Sequence, residues 1–226
     1  MDKPVTDNYD VKKARPACYS AKPARFDVVD IPRMWFLMAD GHGDPNTSPR
    51  YAEVVTALYA TSYAVRAIAK AELGRVHTVG PLEGLWSAPD LAVFHSRDKD
   101  AWDWTLMIVQ PDWITQEIVA TATARTLEKT PTAHDVRFEA LHEGTSVQTL
   151  HIGPYDDEGP TIARMHDEFM PAQGLAPRDR HHEIYLSDAR RTDPAKLRTI
   201  LRQPVRPTHA RQGTSGQVAG PLRDNR

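Results

Sequence analysis

The stretch His181-His182-Glu183-Ile184-Tyr185-Leu186-Ser187 has an echo a hundred residues earlier, in Leu82-Glu83-Gly84-Leu85-Trp86-Ser87. A second pair repeats the pattern: Leu106-Met107-Ile108-Val109-Gln110-Pro111 matches Thr199-Ile200-Leu201-Arg202-Gln203-Pro204. All four alternate or run apolar over five or six residues, which is the signature of strands. Two strands recurring in the same order imply a duplicated unit.

The remaining elements fall into the same order in both halves. Phe26 to Asp40 reads as a strand bent or interrupted by Pro32, with Met34-Trp35-Phe36-Leu37-Met38 apolar on both faces. Gly41 to Asn46 is a loop. Ser48 as N-cap and Pro49 at the first helical position open a helix that Gly74 closes. Strands follow at 79–87 and 101–110, then a helix from Trp113 to Lys129 with Asp112 as its cap. The second half gives a short strand or connector at 136–141 and a strand from Ser146 to Ile152. A helix opens at Asp156 or Asp157, and strands follow at 181–186 and 197–205. Strand, helix, strand, strand, twice over, predicts an α+β fold. One antiparallel sheet carries helices on one side, with a ligand groove between the halves on its uncovered side.

Length and composition set the frame. The chain has 226 residues, 40% of them hydrophobic, with five Trp, seven Tyr and five Phe, enough for a sizeable core. Residues 1–24 read as an N-terminal arm and 25–206 as one domain, its two pseudo-repeats covering about 25–130 and 131–206. Residues 207–226, rich in Gly, Pro, Arg and Gln, read as a disordered tail. A net charge of −2 from 28 basic and 30 acidic residues leaves no footprint for direct nucleic-acid binding. No apolar run approaches the ~20 residues of a membrane span. Cys18 is the only cysteine, so no intrachain disulfide forms, and no metal-ligand spacing appears. These features point to the cytoplasm and imply no metal and no cofactor.

Glu183 is the chemical anomaly. On a strand it shares a face with Tyr185, among residues that otherwise look buried. A carboxylate there costs free energy unless paired, and its alternative is a salt bridge to Arg180 or Arg191. An apolar setting raises its affinity for a proton and suits it to act as a general base. Tyr155, after the Gly153-Pro154 turn, is the first candidate donor to a developing oxyanion and Tyr185 the second. Trp86 and Trp104 are candidates to stack on a flat ligand, Met38 and Met107 to give an adaptable wall, and His182 to line the site. Ordinary core packing explains each tryptophan equally well, and a methionine in a strand is more often plain core. Asp156-Asp157-Glu158 reads as a helix start, stabilised by capping and the dipole rather than by a metal.

Several strings resemble the GyrI-like small-molecule-binding family. They are Leu37-Met38-Ala39-Asp40-Gly41-His42-Gly43-Asp44-Pro45-Asn46, Leu82 to Trp86, Trp104 to Pro111, Glu143-Gly144, Gln148 to Glu158 and His181 to Arg191. The resemblance spans about residues 22–206. It implies the duplicated fold and an aromatic groove around one central glutamate. In drug-sensing regulators of this kind the glutamate receives cationic aromatic drugs, behind a DNA-binding helix-turn-helix. The roughly 24 residues ahead of the domain are too few for such a module. The strings are closer to stand-alone members that hydrolyse the cyclopropane ring of planar, DNA-alkylating compounds. The resemblance therefore implies a cofactor-free hydrolase with a detoxifying role, with Glu183 in its groove. The alternative is a non-catalytic binder of flat hydrophobic or cationic molecules. In both cases the partner is a planar aromatic or hydrophobic small molecule.

Overall fold

Pro32 divides the first expected strand, because it has no N–H to give to a ladder. A computed structural model describes residues 8–87 and 99–208. In it β1 (Asp27–Ile31) and β2 (Met34–His42) lie on opposite sides of the molecule. The other strands are β3 (Leu82–Ser87), β4 (Asp103–Gln110), β5 (Arg137–Leu141), β6 (Gly144–Ile152), β7 (Leu175–Pro177), β8 (His181–Tyr185) and β9 (Arg198–Pro207). The sheet order is β1-β6-β9-β8-β3-β4-β2-β5, with β7 paired to β9, and every pairing is antiparallel.

That order is a palindrome. β2-β4-β3 of the first half faces β6-β9-β8 of the second, and β3 pairs with β8 at the centre. The outer strands are exchanged: β1 pairs with β6, and β5 with β2. The α+β class and the duplication read from sequence are thus present in the fold.

Two short turns of helix, α1 (Val11–Ala14) and α2 (Pro16–Tyr19), precede the sheet. The long helix α3 (Pro49–Leu73) begins with proline and ends at Gly74 in the left-handed region, φ 64°. Val54, Ala57, Leu58, Val65, Ile68 and Ala69 form its buried stripe. They pack on Leu37, Ala39, Leu106 and Ile108 of β2 and β4. Helix α4 (Gln116–Leu127) is capped by Thr115, whose hydroxyl accepts from the Ile118 N–H. Asp112, the cap expected from sequence, instead pairs with Arg15 at 2.8 Å. The second-half helix is broken into α5 (Gly159–Ala163), a π-helical turn (Arg164–Phe169) and α6 (Met170–Ala172). Met165 and Met170 anchor it on Val147, Leu201 and Val205.

The opposite face of the sheet was expected to be open. It is covered by part of the N-terminal arm. Val11, Cys18 and Tyr19 are buried there against Phe36, Met38, Leu85, Met107, Ile184 and Ile200. Arg15, and the Tyr9 backbone hydrogen-bonded to Val76 and Thr78, hold the segment in place. The physical reason is polar as well as apolar, because this face carries buried charge. The Tyr19 hydroxyl donates to Glu83 at 2.8 Å. His182 lies 3.0 Å from Glu83 through Nε2 and 2.9 Å from Glu143 through Nδ1. Arg202 donates to Glu143 (2.9 Å), to Gln148 and to the Cys18 carbonyl. The expected tail begins at Pro207, the last residue of β9, and residues 209–226 lie outside the described residues.

Burial acts to raise the Glu143 pKa, but the His182 and Arg202 charges outweigh it and hold it down at about 2. A carboxyl lowered from 4.5 contributes stability that is complete above 4.5 and is lost as pH falls towards 2. The whole shift is worth on the order of 3 kcal/mol. Urea unfolding should therefore show a marked loss of stability between pH 6 and pH 3. Glu143→Gln should be less stable at pH 6, because it leaves Arg202 underpaired, yet should lose less on acidification. An equal pH 6 to pH 3 loss in both proteins would remove Glu143 from the acid response.

Candidate functional site

Strand periodicity sends alternate residues of β8 to opposite faces. His182 and Ile184 point to the N-terminal segment, and His181, Glu183 and Tyr185 point to the helices. On the helix side a groove of about 1670 Å³ runs between α3 and the 155–172 helical segment. Tyr51 and Tyr59 of α3 line one wall, and Tyr155, Glu158, Ile162 and His166 the other. Leu82 and Trp86 of β3 and His181, Glu183 and Tyr185 of β8 make the floor, with Trp102 beside Trp86. The groove does lie between the halves, but on the helix side of the sheet.

Glu183 sits opposite Gly84 in the β3–β8 ladder. The glycine is required by space: a Cβ there would lie 2.9 Å from Trp86 Nε1 and 3.2 Å from Tyr185 Oη. In the room it leaves, the Trp86 indole N–H donates to Tyr185 Oη at 3.1 Å, and the Tyr185 hydroxyl donates to Glu183 Oε2 at 2.7 Å. Burial raises the Glu183 pKa to about 7, with Tyr185, His182 and Trp86 pulling it partly back. His181 Nε2 is 3.8 Å from Glu183 Oε1. Burial presses the His181 pKa down to about 3, so it is neutral at pH 7 and gives Glu183 no counter-charge. The expected partners Arg180 and Arg191 are engaged elsewhere, Arg180 with Thr105 and Arg191 towards Asp188.

Tyr155 is half-exposed at the groove wall, its ring edge-on to Tyr185 with centroids 5.4 Å apart. Burial, then the Glu158 and Glu183 charges, push its hydroxyl up to about 12. Glu158 is almost fully buried. Burial and then Glu183 raise its carboxyl to about 10.

Of the residues singled out in the sequence, Glu183, Tyr185, Tyr155 and Trp86 meet in the groove. The others are elsewhere. Trp104 is on the helix side but buried behind Tyr51, its ring over Gly41 and its indole N–H on the Gly43 carbonyl. Met38, Met107 and His182 belong to the opposite face, where the methionines are core and His182 bridges two glutamates. Glu83 also lies there, opposite Ile184 in the ladder. The sequence repeat aligns Glu83 with Glu183, but the ladder register is offset from it by one residue, and a one-residue slip changes the face.

Glu158, Tyr51, Trp102 and His181 were not singled out in the sequence as site residues. Tyr51, Val55, Tyr59 and Tyr63 recur every fourth residue, a stripe beside the core stripe of α3 that marks a second face in use. Among the described residues no group of three or more His, Cys, Asp or Glu side chains is arranged to hold a metal. None of the described helices is long and apolar enough to cross a membrane.

A duplicated α+β sheet with an aromatic, carboxyl-bearing groove defines a small-molecule-binding module. The chain belongs to the GyrI-like small molecule binding domain family, which matches residues 25–206. An uncharacterized conserved protein from Listeria innocua is 36% identical, with a TM-score of 0.79 over 88% of this chain and all of that one. A Listeria innocua protein encoded by lin2189 and described as a hydrolase is likewise 36% identical. Its TM-score is 0.78 over the same shares of each chain. The EcmrR C-terminal domain shares the fold at 13% identity, with a TM-score of 0.52 over 81% of this chain and 98% of that domain. No curated protein matches the chain.

Tyr185→Phe tests the floor directly. It removes the hydroxyl that favours ionised Glu183, so the carboxyl should titrate above about 7, read as the pH dependence of its ¹³C chemical shift. A downward shift, or none, would mean that Tyr185 does not govern this proton.

Proposed function

We propose that the protein is a cofactor-free hydrolase that opens the cyclopropane ring of planar electrophilic compounds with water. The observation that carries this reading is Glu183: a largely enclosed carboxyl raised to about 7, without a cationic partner, on the floor of an aromatic groove. A general base works best when its pKa lies near the working pH. The 36% identity to a protein described as a hydrolase supports an enzymatic role.

In this mechanism a flat substrate lies on the floor between Trp86, Tyr185 and Tyr51, whose rings suit an aromatic partner. Glu183 takes a proton from water as the water oxygen bonds to the exposed ring carbon. The strained carbon–carbon bond breaks, and its electron pair passes through the conjugated system to the ketone oxygen. Tyr155 donates a hydrogen bond to that oxygen and stabilises the developing charge. The role is detoxification of DNA-alkylating compounds in the cytoplasm. The second reading, a non-catalytic binder, is favoured by the same aromatic faces and carboxyls, which would also hold a flat cation.

Turnover separates the two. With a cyclopropane-bearing alkylator in excess, mass spectrometry should show water adduct in many-fold excess over protein. Product capped at one equivalent leaves the binder. Glu183→Gln should keep ligand affinity while kcat falls by about 10²–10⁴, the range for losing a general base. Unchanged kcat would take Glu183 out of the chemistry.

A further inference from the structure

Ring opening as written leaves one requirement unmet. The base step takes a proton from water, and the oxygen at the other end of the conjugated system must gain one. We propose that Glu158 is a second catalytic carboxyl of the groove, which holds that proton and delivers it to the substrate oxygen while Glu183 activates water. The proposal rests on the hydrolase reading above and assigns its acid.

Glu158 looks like a helix cap in sequence, but its side chain makes no capping hydrogen bond. It is 4% exposed, it lines the groove, and its Oε1 has no partner. The titratable groups that face it are Asp156 and Tyr155 on its own segment and Glu183 and Tyr185 on β8. None of these is a cation, and Lys99, the nearby base, pairs with Asp156. The Thr199 hydroxyl on β9 eases the ionised form without reversing the balance. A buried carboxyl among anionic and phenolic groups stays protonated at neutral pH. It is then the groove's stored proton.

Tyr155 is a poorer source. Burial above all, with the Glu183 charge beside it, pushes its hydroxyl up to about 12, so it gives a hydrogen bond and keeps its proton. Ring opening creates a phenol, and burial beside Glu183 raises the Glu158 carboxyl far above the ordinary carboxyl range, towards that of a phenol. Transfer between matched groups is close to balanced.

The step conserves atoms and charge. Water oxygen bonds to the ring carbon and its proton goes to Glu183. The carbon–carbon pair moves to the ketone oxygen, which takes the Glu158 proton and becomes a phenol. Glu183 is left neutral and Glu158 ionised. Glu158 holds a proton more strongly than Glu183 does, so the proton returns from Glu183 to Glu158 and restores the starting pair. No oxidant, reductant or cofactor takes part.

The test uses the full chain and a spirocyclopropyl-cyclohexadienone as probe. Wild-type kcat/KM should rise with pH as Glu183 ionises near 7 and fall as Glu158 ionises near 10. Glu158→Gln keeps a hydrogen-bond donor but has no proton to give. Its kcat should fall by about 10² or more, the range for losing a general acid, with KM within about threefold and the alkaline limb gone. An unchanged rate with the alkaline limb intact overturns the proposal.

A second measurement does not need turnover. Infrared difference spectra at pH 8 should show a carboxylic-acid C=O stretch that shifts when the dienone binds and is missing in Glu158→Gln. Glu158→Ala serves if the glutamine variant does not fold. A shifting band without wild-type turnover would sink the hydrolase reading and keep Glu158 as the groove's donor. If no band appears, or if one survives both substitutions, Glu158 holds no proton and the proposal fails.

Discussion

The pairing of β3 with β8 is the constraint on which the rest depends. It joins the two halves and fixes which residues meet. Gly84 opposite Glu183 puts the smallest residue beside the central carboxyl, and the freed space is filled by the Trp86–Tyr185 hydrogen bond. A shift of one residue would exchange Glu183 with Ile184 and His182, placing a hydrocarbon on the groove floor and the glutamate among Glu83 and Glu143.

That alternation also sets the electrostatics of the strand. His182, on the far face, is held towards its protonated form by Glu143 and Glu83, against the opposing effect of burial. Its charge acts across the strand on Glu183 and lowers that carboxyl's affinity for a proton. The network beneath Tyr19 and Arg202 is thus more than packing. It places charged groups behind the floor of a groove that holds two acids. The segment of residues 9–24 keeps water from those groups, which preserves their reach through the sheet.

Much of the fold was legible in sequence, because its signals are local. Proline and glycine mark the ends of α3, apolar alternation marks the strands, and the short repeat reveals the duplication. The groove's central residues were legible for a similar reason, since Glu183 and Tyr185 are out of place on an apolar strand. What stayed hidden depends on partners far away in sequence. Met38, Met107 and His182 have the right residue types, but the ladder register sends them to the other face. Trp104 has the right face, but Tyr51 lies in front of it. Glu158 resembles any acid at a helix start until the absence of a capping bond and the nearness of Glu183 are seen. The arm meets the buried charge through the Tyr19 hydroxyl and backbone carbonyls, while the lysines of residues 9–24 stay exposed, so composition alone does not separate it from a solvated tail.

The exchanged outer strands have a mechanical consequence. β1 belongs to the first half by sequence and to the second by pairing, and β5 is the reverse. The halves are therefore clasped at both edges as well as joined at the centre, so they cannot swing apart as hinged lobes do. The floor keeps a constant span, and compliance is left to the walls. Of these, α3 is a continuous seven-turn rod, whereas the opposite wall is interrupted by a π-turn that carries His166. Guests of differing thickness would be accommodated on one side only, giving a gauge with one fixed jaw and one sliding jaw.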